Sequence, residues 1–328
     1  MSVWLSNLLL LAVAVAAIVL LRAYLRTERS RRAMKRFRRD RVGVACALLV
    51  ALNLGIGLLD CLRVSRDESV LDYFFRNVPE ESGYSAPLAS TTYNERDPQP
   101  LNGRHLFGTD LIGKDVLLQT LKGCRTALII GGLTSAIYIP IGALLGILAG
   151  YHRGRVDDLV QYLYSTLASI PGILMLISIL MILGKGLGNM AVALSLTAWI
   201  GLCRLVRGET FRQAARPYVE AARALGQSHW KIMFFHILPN VSHLIMINAV
   251  LGFSGLVMAE SILSYLGVGA PVGTASWGAM IDSARMELSR DPMVWWTVSA
   301  AAGALFILVL ALNLLGDSLR RAFDPKAA

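Results

Sequence analysis

Residues 217–239 read PYVEAARALGQSHWKIMFFHILP, the most polar and most patterned segment between two long apolar blocks. Pro217 can open a helix without loss, because the N–H it lacks would have no partner in a first turn. Gly226 suits the left-handed residue that closes a helix, and Ser228 is placed to cap the next one. The spacing predicts a short helix, a tight turn and a second short helix, with Pro239 punctuating before the next apolar block. Ala221, Ala222 and Ala224 are small enough to let another surface approach the backbone. A solvated connecting loop made of the same helix-favouring alanines is the competing reading of the spacing.

What flanks this compact knob sets the fold class. The chain has 328 residues, 55% of them hydrophobic, and a mean hydropathy of +0.55, too apolar for an ordinary soluble domain. Apolar blocks occupy 1–21, 42–59, 126–151, 159–184, 186–203, about 241–265 and 293–316. Each approaches or exceeds the roughly 18–20 residues that cross the hydrocarbon as a helix. The expectation is an all-α integral membrane protein, a polytopic helix bundle of seven spans. It divides into an extra N-terminal span with a basic linker (1–41), a first core span with an external loop (42–125), a core transmembrane region (126–320) containing the loop 204–239, and a tail (321–328).

The net charge of +10 is concentrated. Residues 22–41 carry ten Arg or Lys against Glu28 and Asp40, directly after the first block. Such a cluster is retained on the cytoplasmic side, and anionic lipid headgroups account for it better than nucleic acid. A signal peptide carries its charge before the apolar region and here the charge follows, so 1–21 reads as a retained span with its N-terminus outside. Residues 61–125 then lie outside, with eight Arg or Lys against nine Asp or Glu. Counting onward puts 204–239 and the C-terminus inside, in agreement with Arg204, Arg207, Arg212, Arg216, Arg223, Lys231, Arg320 and Arg321. Without the first block as a span, six remain and both ends lie inside. Cys46, Cys61, Cys124 and Cys203 form no metal pattern.

Glu220, Ala221 and Ala222, then Gly226, then Leu238 and Pro239, resemble the EAA signature of inner-membrane permease subunits of binding-protein-dependent ABC importers. The ending His236, Ile237, Leu238, Pro239, Asn240 resembles the dipeptide, oligopeptide and nickel branch of that family, in its second-permease or C-type form. Ten positions after the glycine the general signature has Ile, where this chain has His236 with Ile237 beside it. Three further blocks look similar. One is 105–128, with His105, Gly108, Thr109, Asp110, Gly113, Lys114 and Asp115. Another is 261–281, with Leu266, Gly267, Gly269, Pro271, Trp277 and Gly278. The last is LNLLGDSLRRAFDP at 312–325.

The resemblance implies a type I ABC importer transmembrane fold in a bacterial inner membrane, moving di- or oligopeptides or a similar small solute. It implies a homologous second permease subunit, two ABC ATPase subunits that bind ATP and Mg, and an external solute-binding protein; this chain would hold no cofactor or metal. It assigns ATPase coupling to Glu220, Ala221, Ala222, Gly226, Leu238 and Pro239. The translocation path or outer gate is expected at Asn248, Glu260, Tyr265 and Trp277. The alternative is a secondary transporter driven by an ion gradient, which should show paired intramembrane acids or an internal repeat.

Individual residues sharpen these expectations. Gly108, Gly113 and Lys114 have phosphate-loop spacing, but Asp115 stands where a Ser or Thr hydroxyl would hold magnesium and no strand precedes them. Capping of the following helix by Asp110 or Asp115 is the expected use. Gly142, Gly146 and Gly150 recur at spacing four, a pattern that lets membrane helices approach closely. Pro171 and Gly172 interrupt the fourth block, 159–184, a break tolerated where protein or water satisfies the freed backbone. Glu260 within the 241–265 block should face the bundle interior, face water, or lie near an interface. No metal-ligand histidine pair or nucleophile elbow is present, so an enzyme is a poor reading.

Overall fold

The computed structural model describes residues 28–323 apart from 66–67, 94–97 and 272, together with scattered positions among the first 27. In chain order the described helices are α1 (Glu28–Phe37), α2 (Arg41–Cys61), α3 (Val70–Phe75), α4 (Val116–His152), α5 (Gly154–Ala168), α6 (Gly172–Leu183), α7 (Leu187–Ala214) and α8 (Pro217–Ala224). Then come α9 (His229–Lys231), a π-turn (Ile232–Ile237), α10 (Leu238–Tyr265), α11 (Trp277–Ala284), a 3-10 turn (Met286–Ser289) and α12 (Trp296–Phe323). Among the described residues strand pairing is limited to three isolated bridges in the segment between α2 and α4.

Five helical runs are long and apolar enough to cross a membrane: α2, α4, α7, the continuous run His229–Tyr265, and α12. Helices α5 and α6 form a sixth candidate, bent by 85°. Six is thus the most the described residues supply. The expected seventh span, 1–21, lies largely outside them. Residues 152–158, which separate the blocks 126–151 and 159–184, are helical but for a one-residue break at Arg153. The bend in the next span falls at the expected Pro171, whose ring disfavours helix for the residue before it and whose nitrogen has no hydrogen to donate.

The chain divides into two compact units, Met1–Ile129 with Val257–Ala328, and Ile130–Leu256. In the second unit the glycine stripe of α4 meets the backbone of α7. A Cβ on Gly142, Gly146 or Gly150 would lie 2.9, 2.8 or 2.7 Å from the carbonyl oxygens of Trp199, Cys203 and Arg207. All three pairs share one offset, 57 residues, the same separation at which the Thr134 hydroxyl donates to the Ala191 carbonyl at 3.5 Å. A constant offset means that α4 and α7 run parallel. Two parallel neighbours require the chain between them to return to its starting side, so α5 and α6 together make one crossing. Arg207 ties α5 to α7 by clamping both carboxylate oxygens of Asp157, with Nη2 2.7 Å from Oδ2.

In the first unit α2 packs on α12, where Gly43 leaves room for Ser318; an added Cβ would lie 2.7 Å from the Ser318 Cβ. Asp40 caps α2 by accepting the Gly43 N–H at 3.1 Å and binds Arg321 Nη2 at 3.0 Å. At the other end of α2 the Asn7 amide exchanges two hydrogen bonds with the Arg63 backbone, at 2.8 and 3.0 Å.

The connecting segment 62–115 is folded by buried polar groups. His105, fully buried, bridges Asp115 (2.9 Å) and Glu81 (3.3 Å). The residues with phosphate-loop spacing make a turn packed on residues 81–86: Gly108 and Gly113 have φ of +74° and +77°, and a Cβ on Gly113 would lie 1.8 Å from the Glu81 carbonyl oxygen. Asp110 accepts the N–H groups of Ile112 and Lys114, and Asp115 accepts that of Leu118 at 2.9 Å, capping α4 as expected.

Candidate coupling knob and outer-loop staple

The stretch 217–239 folds as its sequence predicts over its first half. Arg216 is extended, Pro217 occupies the first turn of α8 and Glu220 lies in that turn, where a carboxylate suits the positive end of the helix. The Gly226 N–H bonds the Arg223 carbonyl (2.9 Å) and the Gln227 N–H bonds the Ala222 carbonyl (3.1 Å), with Gly226 at φ +70°. This is the paired Schellman closure, which a Cβ at Gly226 would strain. Ser228 then accepts the Lys231 N–H at 3.4 Å.

The second half departs from expectation at Pro239, which does not end the unit. The helix runs on from His229 to Tyr265 through the π-turn. A proline inside an α-helix clashes with the carbonyl four residues back. The wider π-turn directly before Leu238 displaces that carbonyl, so α10 begins without a stop. Asn240 steadies the junction by donating to the His236 carbonyl at 2.8 Å, while His236 pairs with Gln227 at 2.8 Å.

One face of the knob anchors it. Val219, Ala222, Ile232, Met233 and Ile237 are buried. Tyr218 donates to Gln213 at 2.9 Å, and burial raises its phenol pKa. The opposite face is open: Glu220, Ala221, Ala224 and Gly226 are exposed. So are the large apolar side chains Leu225 (79%), Trp230 (58%) and Phe235 (74%), and Trp230 stacks on Phe234 at 5.7 Å. Of the residues expected to couple, Glu220, Ala221 and Gly226 share the open face. Ala222 points into the unit, Leu238 is half-buried and Pro239 is exposed. Leu225, Trp230 and Phe235 were missed by motif reasoning; large apolar side chains in a polar stretch outside the spans were the available signal.

The gate candidates divide. Glu260 is 1% exposed and its carboxylate gathers three hydroxyls: Ser276 at 2.7 Å and Ser264 at 2.8 Å on Oε1, and Ser261 at 3.3 Å on Oε2. Ser276 caps α11 and Ser264 accepts the Ala270 N–H at 3.0 Å, so Glu260 staples the 266–276 loop to the end of α10. Gly278 and Gly123 make the close approaches. A Cβ on the first would meet the Ser261 carbonyl at 2.3 Å, and on the second the Trp277 ring at 2.4 Å. Trp277 is buried and donates to the Thr120 carbonyl at 2.9 Å. Tyr265 lies at the rim, with Arg285 5.3 Å over its ring. Asn248 is half-buried on the part of α10 that belongs to the other unit.

The family profile described as "Binding-protein-dependent transport system inner membrane component" matches residues 142–328. The glutathione transport system permease protein GsiD of Pectobacterium atrosepticum is 33% identical over 293 residues, covering 89% of this chain and 89% of that protein. The oligopeptide transport system permease protein OppC of Bacillus subtilis is 34% identical, with coverage of 72% and 77%. The di/tripeptide permease DppC of Pseudomonas aeruginosa is 36% identical, with coverage of 68% and 73%. Among solved structures, the inward-facing MetNI methionine ABC transporter is similar at 20% identity over 64% of this chain and 96% of that one, with a TM-score of 0.49.

Proposed function

Because the chain belongs to the family of binding-protein-dependent transport system inner membrane components, we propose that the open face of the 217–239 knob is where ATPase subunits drive its helix bundle. The chain is a multi-pass membrane permease subunit of an ABC importer. An ion-gradient-driven transporter is not favoured by that membership.

One observation carries the coupling assignment. The knob is anchored on one face and open on the other, with Val219 and Ile232 fully buried while Leu225 and Phe235 stand 79% and 74% exposed. A surface that transmits force needs both properties. The Schellman turn at Gly226 holds α8 and α9 in a fixed relation, so displacement of the open face moves α10 through the continuous helix beyond it. Nucleotide chemistry belongs to two partner ATPases, which bind ATP and Mg. A homologous second permease completes the path, and an external solute-binding protein delivers a di- or oligopeptide or similar small solute. The basic residues around the knob support a cytoplasmic position for it at the inner membrane.

Leu225→Glu tests the reading. Leu225 is 79% exposed, so the variant chain should fold and insert into the membrane normally. Solute uptake and solute-stimulated ATP hydrolysis should each fall at least about tenfold, the effect of roughly 1.4 kcal/mol of lost coupling. Unchanged uptake and hydrolysis in Leu225→Glu and in Phe235→Glu would exclude docking on this face.

A further inference from the structure

We propose that a half-open cavity between the knob and the adjoining helix ends binds a phosphate-bearing anion. The cavity is about 460 Å3 and lies wholly within the second unit. Tyr151, His152 and Arg153 line it from the end of α4, two alanines from the end of α7, Glu220 and Arg223 from α8, and His229 from α9. Its permanent charges are two guanidiniums against one carboxylate, and two imidazoles add further ring nitrogens.

The donors are organised. Tyr151, buried, shares a hydrogen bond with His229 Nδ1 at 2.8 Å and accepts from Arg223 Nε at 3.4 Å. Arg223 lies 4.8 Å over the Tyr151 ring and Arg153 lies 5.3 Å over that of Phe211. Among the described residues neither guanidinium has a carboxylate within ion-pair distance, whereas Arg207 and Arg212 nearby do. Stacking on an aromatic face fixes a guanidinium while its N–H edge remains able to grip an oxyanion. Guanidinium edges pair with phosphate oxygens in bidentate fashion, and a tetrahedral phosphate has oxygens enough to meet donors from both walls at once.

Position narrows the source. The walls include the ends of two helices long and apolar enough to cross a membrane, and basic pockets between such helices take anionic lipid headgroups. A free phosphate offers the same chemistry. Because α8 and α9 form one wall and α4 and α7 the other, a bound anion bridges the knob to the spanning helices. The pocket shares Glu220 with the knob's open face and is otherwise lined by residues off that face, so anion binding is read on this chain without ATPase subunits.

The test uses the full-length chain in nanodiscs and reads its thermal unfolding midpoint at constant ionic strength. In phosphatidylcholine, replacing chloride with inorganic phosphate should raise Tm by roughly 2–4 °C if the source is soluble. If the source is the headgroup, exchanging part of the phosphatidylcholine for phosphatidylglycerol should raise Tm by a similar amount without added phosphate. Either shift should vanish in Arg153→Gln/Arg223→Gln and persist in Arg212→Gln, which lies off the cavity. Glu220→Gln, which removes the single carboxylate, should enlarge it and provides a reading should the double variant fail to fold. No shift with either probe, or an equal shift in the double variant, overturns the proposal.

Discussion

Replacing Gly146 by alanine should loosen the parallel pair formed by α4 and α7. The added Cβ would stand 2.8 Å from the Cys203 carbonyl oxygen and 2.9 Å from the Val206 Cβ. Non-bonded carbons settle at about 3.5–4.0 Å, so the overlap is several tenths of an ångström to one ångström. One of the two neighbours is helix backbone, which cannot swing aside as a side chain can, so relief requires the helices to separate. Overpacking of this kind costs about 1–3 kcal/mol. Alanine returns up to about 1 kcal/mol of helix propensity, leaving a net loss near 1–2 kcal/mol. At roughly 2–4 °C per kcal/mol, Tm should fall by about 2–8 °C. Gly150→Ala should behave alike, because its Cβ would meet Thr210 Cβ at 2.6 Å and the Arg207 carbonyl at 2.7 Å. Gly132 and Gly208 lie on the same two helices with nothing within 4 Å, and alanine there should leave Tm unchanged or raise it. The assay is thermal unfolding of purified protein in a single detergent across the four variants. If Gly146→Ala and Gly150→Ala melt with Gly132→Ala and Gly208→Ala, the glycines are merely tolerated in lipid and the packing argument is wrong.

Two other perturbations follow from the first unit. Glu260→Leu strands the Ser264 and Ser276 hydroxyls in a buried site, at about 1–3 kcal/mol for each unsatisfied group, while Glu260→Gln keeps an acceptor between them. Proteolysis of the 266–276 loop should therefore accelerate strongly in the leucine variant and weakly in the glutamine one, and equal rates would contradict the staple. At Asp40 the Ser318 hydroxyl, the Gly43 N–H and the Arg321 guanidinium lower the carboxyl from its ordinary 3.8 to about 2. The folded value lies below the unfolded one, so the stabilisation is present above about pH 4 and is lost as pH falls through about 2. The Tm difference between wild type and Asp40→Asn should accordingly be constant above that window and shrink within it. A difference that stays flat down to the acid limit would remove Asp40 from the tie between α2 and α12.

How much was visible in advance varied with the range of the interaction. The apolar blocks, the break at Pro171, the left-handed Gly226 and the Asp115 cap each depend on residues within a turn or two of one another. Hydrocarbon thickness, φ/ψ preference and cap chemistry act over that distance, and for the blocks after residue 41 the structure supplies five long apolar helical runs and one bent pair. Pro239 misled because the π-turn that accommodates it has no marker comparable to a proline or a glycine. The N-terminal block at 1–21 was likewise clear as composition, and its place lies outside the described residues. Family membership came from motifs whose spacing survives in the chain, and the exposed apolar side chains Leu225, Trp230 and Phe235 lay between the motif letters.

The sequence by itself determined that the chain crosses a membrane repeatedly, where a polar knob interrupts the spans, and that glycines at spacing four would face a close neighbour. It did not say which neighbour. Only the tertiary structure paired that stripe with α7 at a fixed offset and so counted the bent α5–α6 pair as one crossing. Only it closed Ser264 and Ser276 around Glu260, and set His105 between Glu81 and Asp115. The physical reason is common to all of these. Hydrophobic length and backbone preference are properties of a segment, whereas a buried polar group is satisfied by whatever partner packing delivers, and that partner can lie 16, 24 or 57 residues away.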